Sequence, residues 1–195
     1  MTEEGDPENE PVLVVDYDSA WASKFDAEAA ILQEQLAPWI VSGIHHVGST
    51  SVPGLPAKPI IDILVGVESL EHSRPCIEKA AALGYLYWPY RTEVMHWFCK
   101  PHPARRTHHL HLVPTGSPRY LDELAFRDAL RADTALAGRY AVLKRDLAVR
   151  FRDDREAYTK HKAPFVREVL AASQASRSVE RLWAGAAMGR EIGGP

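Results

Sequence analysis

Cysteine is scarce in this chain of 195 residues. The two that it has, Cys76 and Cys99, stand far apart and outside any CxxC pair. The sequence therefore gives no support for a disulfide framework or a cysteine zinc cage. We expect Cys76 to pack on a helix and Cys99 on a strand.

Long apolar runs and an excess of positive charge are also missing. No apolar run reaches the roughly 18 residues of a membrane span, and the opening MTEEGDPENEP lacks the basic and apolar regions of a secretory signal. Formal net charge is −3, so the chain lacks the basic balance of proteins that hold nucleic acid by neutralising its phosphates. We expect a soluble cytoplasmic protein with no membrane segment, no strong nucleic-acid signal and only a local anion site.

The chain does have the composition of one globular domain, 46% apolar and 25% charged. We expect a disordered acidic leader over 1–11, one domain over 12–173, and a C-terminal helix or tail over 174–195. Within the domain, 12–114 mixes strand and helix patterns, whereas 115–173 carries apolar residues at helical spacing. The predicted fold class is α+β: a small mixed β-sheet with covering helices, followed by a C-terminal helical bundle.

Local patterns predict individual elements in the first half. A strand begins after Pro11, and the helix that follows is capped by Asp18 or Ser19. The segments IVSGIHHVGS and AKPIIDILVGV predict two strands that pair as a hairpin. Ser69 is expected to cap an amphipathic helix that ends at Gly84.

Further patterns complete the prediction. Strands are expected at YLYWPY, MHWFCK and HHLHLV. The helical half is expected to break near residues 133–138. One more short helix is expected around Leu182 and Trp183.

The loop between the hairpin strands is suited to holding an anion. Backbone amides of a Gly-Ser-Thr-Ser turn at Gly48 can converge on phosphate, and the hydroxyls of Ser49, Thr50 and Ser51 add donors. An ordinary hairpin turn is the alternative. Lys58, close behind the turn, favours the phosphate site.

One carboxylate, Asp62, stands in the middle of the apolar strand after this loop. Its side chain is expected on the face opposite Ile61 and Ile63. A buried carboxylate is costly unless it is paired, hydrogen-bonded or bound to a metal. A satisfied core aspartate is one interpretation, and a functional site is the other.

Histidines cluster in the segment RTHHLHLV. In a strand, His109 and His111 share one face. If that face lies beside Asp62, the three side chains form a partial coordination set for a divalent ion, with positions left for water or phosphate oxygens. The alternative is that the histidines simply tolerate a half-buried strand.

Basic and aromatic residues recur together in the helical half. Tyr140 and Lys144 are four residues apart, as are Tyr158 and Lys162, so each pair lies on one helix face. With other cationic residues they could form a local positive wall for a polyphosphate; these are Lys58, Arg106, Arg127 and Arg155. Solvated surface charge beside half-buried tyrosines is the alternative.

Taken together, these motifs resemble the GrpB family. The resemblance is carried by HVGSTSVPGLPAKPIIDI at 46–63, RTHHLHLV at 106–113 and FRDALR at 126–131. It implies the nucleotidyltransferase fold, in which Gly48 and Ser49 would hold the β- and γ-phosphates of a nucleotide. It also implies two Mg²⁺ ions held by three carboxylates.

The sequence departs from that superfamily pattern at its acids. In the superfamily, one strand carries two acids one residue apart, and these positions correspond to Asp62 and Leu64, so the second acid is absent here. The position of the superfamily's third acid falls within 109–111, again without a carboxylate. One carboxylate with imidazoles is a softer set of metal ligands, better suited to Zn²⁺, Mn²⁺ or Fe²⁺ than to Mg²⁺. The cofactor expected is one divalent ion, with Mg²⁺, Mn²⁺ and Zn²⁺ as candidates.

Two functions of different class follow. In the first, the chain is a nucleotidyl- or phosphoryl-transfer enzyme: Asp62 and His111, with His109, hold a metal or act as acid and base, and the lysines stabilise developing charge. Those lysines are Lys58, Lys144 and Lys162. In the second, the scaffold binds a nucleotide or coenzyme A-like molecule without catalysis, and the missing acid at Leu64 favours this alternative.

Overall fold

The computed structural model describes residues 10–188, and their side chains as far as residue 175. Residues 1–9 of the expected leader and residues 189–195 of the expected tail therefore lie outside the described residues. The helices are α1 (Ala20–Leu36), α2 (Cys76–Ala82), α3 (Pro118–Ala132), α4 (Thr134–Arg150) and α5 (Arg155–Met188). The strands are β1 (Ile44–Val47), β2 (Ile61–Val67), β3 (Leu86–Trp88), β4 (His96–Pro101) and β5 (Arg106–Pro114).

The strands form one mixed sheet in the order β1-β2-β5-β4-β3. Strands β1 and β2 are the predicted antiparallel hairpin, with Val47 opposite Asp62. Strand β5 then runs parallel to β2 and places His109 opposite Asp62. Strands β4 and β3 continue the sheet antiparallel. The predicted α+β class is confirmed.

The two faces of the sheet bury different sets of residues because side chains alternate along each strand. Ile61, Ile63 and Leu110 pack on one face against α1 and α2, through residues such as Trp21 and Cys76. The opposite face carries the three predicted metal ligands and is covered by side chains of α3. The predicted sidedness of β2 and β5 is therefore confirmed, and this second face is where a site can form.

The strand predicted after Pro11 does not form. Val15 makes a single isolated bridge with Ala57, and the Val12 amide donates to the carbonyl of Arg152. Val12 is buried beside Leu147. The segment is apolar because it packs on the helical half, so strand-like composition here reflects burial and not a place in the sheet.

The helix expected from Ser69 begins later. Residues 70–75 form turns, in which Ser69 Oγ accepts a hydrogen bond from the His72 amide, and α2 starts only at Cys76. Pro75 sets this boundary, because the residue before a proline is disfavoured in helical conformation. Of the two candidate caps of α1, it is the Asp18 carboxylate that accepts from the Ala20 amide, at 2.9 Å.

The helical half has fewer interruptions than predicted. The break spans only Asp133, whose carboxylate accepts from the Ala135 and Leu136 amides, and Gly138 lies inside α4. Helix α5 continues to Met188 without a separate helix, and no proline lies between Pro164 and Met188 to break it. None of the helices in the described residues is long and apolar enough to cross a membrane.

Candidate functional site

A cleft of about 340 Å³ lies between the sheet and the helical half. Twelve of the predicted residues line it: Gly48, Ser49, Thr50, Lys58, Asp62, Arg106, His109, His111, Lys144, Arg155, Tyr158 and Lys162. The fold thus brings together residues from the hairpin loop, β2, β5, α4 and α5. Ser51 and Tyr140 are not among the lining residues.

The loop after β1 is fixed from within. Ser49–Ser51 forms one 3₁₀ turn. Thr50 Oγ1 donates to the Ile60 carbonyl at 3.1 Å, and Ser51 Oγ donates to the Gly48 carbonyl at 2.7 Å. These two hydroxyls therefore hold the loop in shape, which corrects the expectation that all three hydroxyls face an anion.

Asp62 approaches this loop and pairs with His109. The Nδ1 atom of His109 donates to Asp62 Oδ1 at 2.8 Å. Burial acts to raise the pKa of Asp62, but the hydrogen bond from His109, together with nearby positive charge such as that of Lys162, outweighs it and holds the pKa below its usual range. Burial lowers the pKa of His109, with Asp62 opposing. The pair is therefore a carboxylate beside a neutral imidazole with its proton on Nδ1.

A second carboxylate–histidine pair lies next to the first. Nδ1 of His111 is 3.1 Å from Oε1 of Glu123 on α3, and Arg119 pairs with the same oxygen at 2.6 Å. Burial acts to raise the pKa of Glu123, but His111 and Arg119 outweigh it and lower the pKa. Glu123 and Arg119 do not stand out in the sequence, because their spacing of four residues is that of any surface ion pair on a helix.

The two histidines present free ring nitrogens. Within the described part of the chain, Nε2 of His109 and Nε2 of His111 are both buried without a hydrogen-bond partner. A carboxylate on Nδ1 fixes the tautomer in which Nε2 offers a lone pair, the arrangement of metal-ligating histidines. Each of these atoms can serve as a metal ligand or accept a proton.

One metal ion fits this set better than two. Asp62, His109 and His111 offer ligand atoms that all lie within 4.8 Å of one another. For one ion to bind all three residues, it would have to replace the proton that Nδ1 of His109 donates to Asp62. One carboxylate and two imidazoles suit Zn²⁺, Mn²⁺ or Fe²⁺. Leu64, where a second acid would stand, is fully buried against Val47 and its neighbours, so the residues do not fit two Mg²⁺ ions.

Basic residues from the loop before β2, from β5 and from the helices form one wall of the cleft. Burial, with the nearby charge of Arg155, lowers the pKa of Lys58 to about 7. Burial likewise lowers the pKa of Lys144 to about 7, with the charge of Lys162 adding to the effect, and the pKa of Lys162 to about 8. None of these lysines, nor Arg106 or Arg155, is in an ion pair within the described residues.

The tyrosine–lysine pairs are packed more deeply than surface residues. Lys144 is 1% exposed, and its Nζ donates to the Pro56 carbonyl. Its ammonium lies 4.8 Å from the Tyr140 ring centre, and that of Lys162 lies 4.5 Å from the Tyr158 ring centre. Tyr140 therefore supports Lys144 from behind the cleft wall.

Arg127, expected in the wall, is directed elsewhere. Its guanidinium donates to the His46 carbonyl and to Asp128. Arg131, one turn further on, donates twice to the Ser51 carbonyl, at 3.0 and 2.7 Å. Both arginines therefore hold the hairpin and its loop against α3.

Comparison with known proteins identifies the relatives of this chain. The family model described as GrpB protein matches residues 11–172. The UPF0157 protein YqkA of Bacillus subtilis is 36% identical over 80% of this chain, which spans only 45% of that protein's length. The UPF0157 protein PA4798 of Pseudomonas aeruginosa is 38% identical over 87% of this chain and 70% of its own.

A solved structure has the same fold. The crystal structure of conserved protein GrpB from Enterococcus faecalis is 34% identical and superposes with a TM-score of 0.77. The match covers 85% of this chain and 99% of that one. The resemblance seen in the sequence motifs is confirmed, and the chain belongs to the GrpB family.

Proposed function

We propose that the cleft binds the phosphates of a nucleotide-type ligand together with one divalent metal ion, and that it performs nucleotidyl or phosphoryl transfer. The observation that carries this proposal is the gathering of five basic side chains around a Gly-Ser turn without acidic partners of their own. These are Lys58, Lys144, Lys162, Arg106 and Arg155.

A bound polyanion would offset the free-energy cost of placing these basic side chains together in a buried cleft. Burial disfavours the charged form of each lysine and is the main cause of the lowered pKa values, and nearby like charges add repulsion at Lys58 and Lys144. Phosphate oxygens accept several charge-assisted hydrogen bonds at once, so a polyphosphate offsets the repulsion better than a single carboxylate. The cleft therefore fits a multiply charged ligand.

The carboxylate–histidine pairs supply the chemistry. Asp62, His109 and His111 would hold the metal ion, which when bound neutralises phosphate charge and activates an attacking hydroxyl. Lys58 and Lys162 bind phosphate oxygens from the opposite wall. Asp62 and His111 are the proposed catalytic residues; in a metal-free reaction Nε2 of His111, oriented by Glu123, would accept the proton of the attacking group.

A binding module without turnover is the second candidate. The observation that favours it is Leu64, which is part of the core and leaves one carboxylate where superfamily enzymes have two. In this version the same residues hold a nucleotide or coenzyme A-like molecule, and no bond is broken.

A thermal-shift screen tests the shared claim. We expect ATP, coenzyme A or tripolyphosphate to raise the melting temperature, because a ligand that binds the folded state stabilises it by mass action. Asp62→Asn should remove the additional shift given by Mn²⁺ or Zn²⁺, whereas the exposed Asp128→Asn should keep it. If none of these phosphate compounds raises the melting temperature, the proposal is wrong.

Phosphorus NMR separates the two candidates. The protein is incubated with ATP, Mn²⁺ at a low level and a mixture of hydroxyl acceptors. New phosphorus signals that disappear in Asp62→Asn support the enzyme. A thermal shift with unchanged phosphorus signals supports the binding module.

A further inference from the structure

An aromatic row continues the site across the sheet. Trp88 of β3 lies directly opposite Trp97 of β4, and Trp97 lies opposite His111 of β5. Direct partners on adjacent strands share a face. Trp88 and Trp97 therefore lie on the cleft face, and Trp88 stands about 10 Å from His111, two strand spacings away.

Ring contacts join this row to the cleft. The Trp97 ring centre lies 5.1 Å from that of His109, and the Arg106 guanidinium lies 5.2 Å from the same indole. Both His109 and Arg106 line the cleft. Tyr90 extends the row outward, with its ring centre 6.4 Å from that of Trp97.

The outer end of the row is open. Trp88 is 54% exposed and Tyr90 is 51% exposed. Leu86, on the same face of β3, is also exposed. Exposed aromatic side chains grouped in this way are typical of binding surfaces, and the packing of the sheet does not account for them.

We propose that Trp88 and Tyr90, with Trp97 between them and the cleft, form the subsite that stacks the heteroaromatic base of the bound nucleotide. The inference rests on the proposed phosphate site and adds the class of its ligand. A molecule that occupies both regions must carry phosphate at one end and a flat aromatic ring at the other. A nucleotide has both, whether free or as the nucleotide end of a coenzyme.

Two features favour a base over an apolar protein segment. Bases stack on exposed aromatic rings without needing a deep pocket. The row also begins at a cationic cleft, since Arg106 packs on Trp97, and Arg91 lies 5.8 Å from the Tyr90 ring centre at its outer end. Positive charge along the row favours a ligand that carries phosphates over an apolar protein segment.

The test compares ATP with tripolyphosphate, which carries the phosphates without the base. Binding of each is measured by calorimetry for the wild-type chain and for Trp88→Ala, Trp88→Phe and Val142→Ala. Val142 is an exposed apolar residue of α4 and does not line the cleft, so it serves as the control. All these substitutions are at exposed positions, where folding is little affected.

We expect Trp88→Ala to weaken ATP binding about tenfold, the loss expected of one stacking contact. Tripolyphosphate binding should stay unchanged, and Trp88→Phe should restore most of the ATP affinity. If both ligands bind and Trp88→Ala affects neither, or both equally, the inference is wrong while the phosphate site stands.

Two other outcomes would also contradict the proposed base-stacking subsite. If neither ligand binds the wild-type chain, the proposed function fails and the inference fails with it. If Trp88→Ala changes the sedimentation of the protein from dimer to monomer and leaves ATP affinity unchanged, the aromatic row is an interface between copies of this chain.

Discussion

Gly48 lies directly against the carboxylate of Asp62. A Cβ atom on Gly48 would stand 2.2 Å from Asp62 Oδ2, much closer than atoms can approach. Its backbone angles, φ +69° and ψ −172°, belong to a region that is nearly exclusive to glycine. The loop and the acid of the site therefore fit together only with glycine at this position.

Gly48→Ala tests this relationship. We expect a loss of unfolding free energy of about 3 kcal/mol or more, since both the backbone strain and the contact with Asp62 must be relieved. Gly54→Ala is the matched control, because Gly54 also has a positive φ, +76°, but open space where its Cβ would lie. It should lose only about 1–2 kcal/mol. Equal losses in urea titrations would show that Asp62 does not constrain the loop.

Glu123→Gln tests the pairing of Glu123 with His111. Removing the carboxylate behind Nδ1 makes Nε2 a weaker ligand and leaves the ring less well oriented, so we expect Zn²⁺ affinity to fall about 10- to 100-fold. Affinity is measured by competition with a chromophoric chelator. Asp128→Asn, an exposed carboxylate on the same helix, should change nothing. A Glu123→Gln variant with wild-type affinity would remove Glu123 from the site.

Lys144 makes stability depend on pH. Its pKa is about 7 in the folded chain against an ordinary value of 10.5, so between these values the unfolded state binds more protons. The free energy of unfolding therefore rises with pH through this window, by at most about 1.4 kcal/mol per pH unit from this residue.

Urea titrations at pH 7, 8 and 9 measure the effect. The wild-type curve should rise with pH, and Lys144→Met should rise less steeply because one titrating group is gone. Lys79→Met, at an exposed position on α2, should keep the wild-type slope. A Lys144→Met slope equal to that of wild type would contradict the burial of a shifted lysine.

Arg131 positions the loop without touching the cleft. Its two hydrogen bonds to the Ser51 carbonyl join α3 to the loop at residues 48–51. Arg131→Met should cost about 1–3 kcal/mol of unfolding free energy and increase hydrogen exchange at the amides of residues 51 and 52. Arg139→Met, which removes an exposed ion pair with Glu168, should cost less than 1 kcal/mol. Unchanged exchange at the loop would show that Arg131 does not hold it.

The part of the site carried by the strands could be predicted from the sequence. Period-two alternation placed Asp62 on one face of β2 and His109 with His111 on one face of β5, and pairing of these strands brings them together. The hairpin followed from the turn residues between its strands. These features depend on local geometry, which sequence patterns report directly.

The part that depends on helix docking could not be predicted. Glu123 reaches His111 only because α3 crosses the sheet at that point, and Lys144 is buried only because α4 packs against the Pro56 carbonyl. The segment at Val12 looks like a strand because its burial against α4 and α5 requires the same apolar residues. Sequence patterns record that a residue is buried but not which partner buries it.

Calorimetry of ATP binding at pH 8, in Tris and in HEPES, tests the proposed phosphate site most directly. At this pH the phosphates are already ionised, since their last pKa is near 6. Lys58 and Lys144, with pKa values of about 7, are mostly neutral in the free protein. Phosphate beside them raises those pKa values, so binding should take up protons from the buffer. The apparent binding enthalpy should then differ between the two buffers in proportion to the number of protons taken up. The double variant Lys58→Met, Lys144→Met should lose the uptake; absence of binding, or binding without proton uptake, would contradict the account.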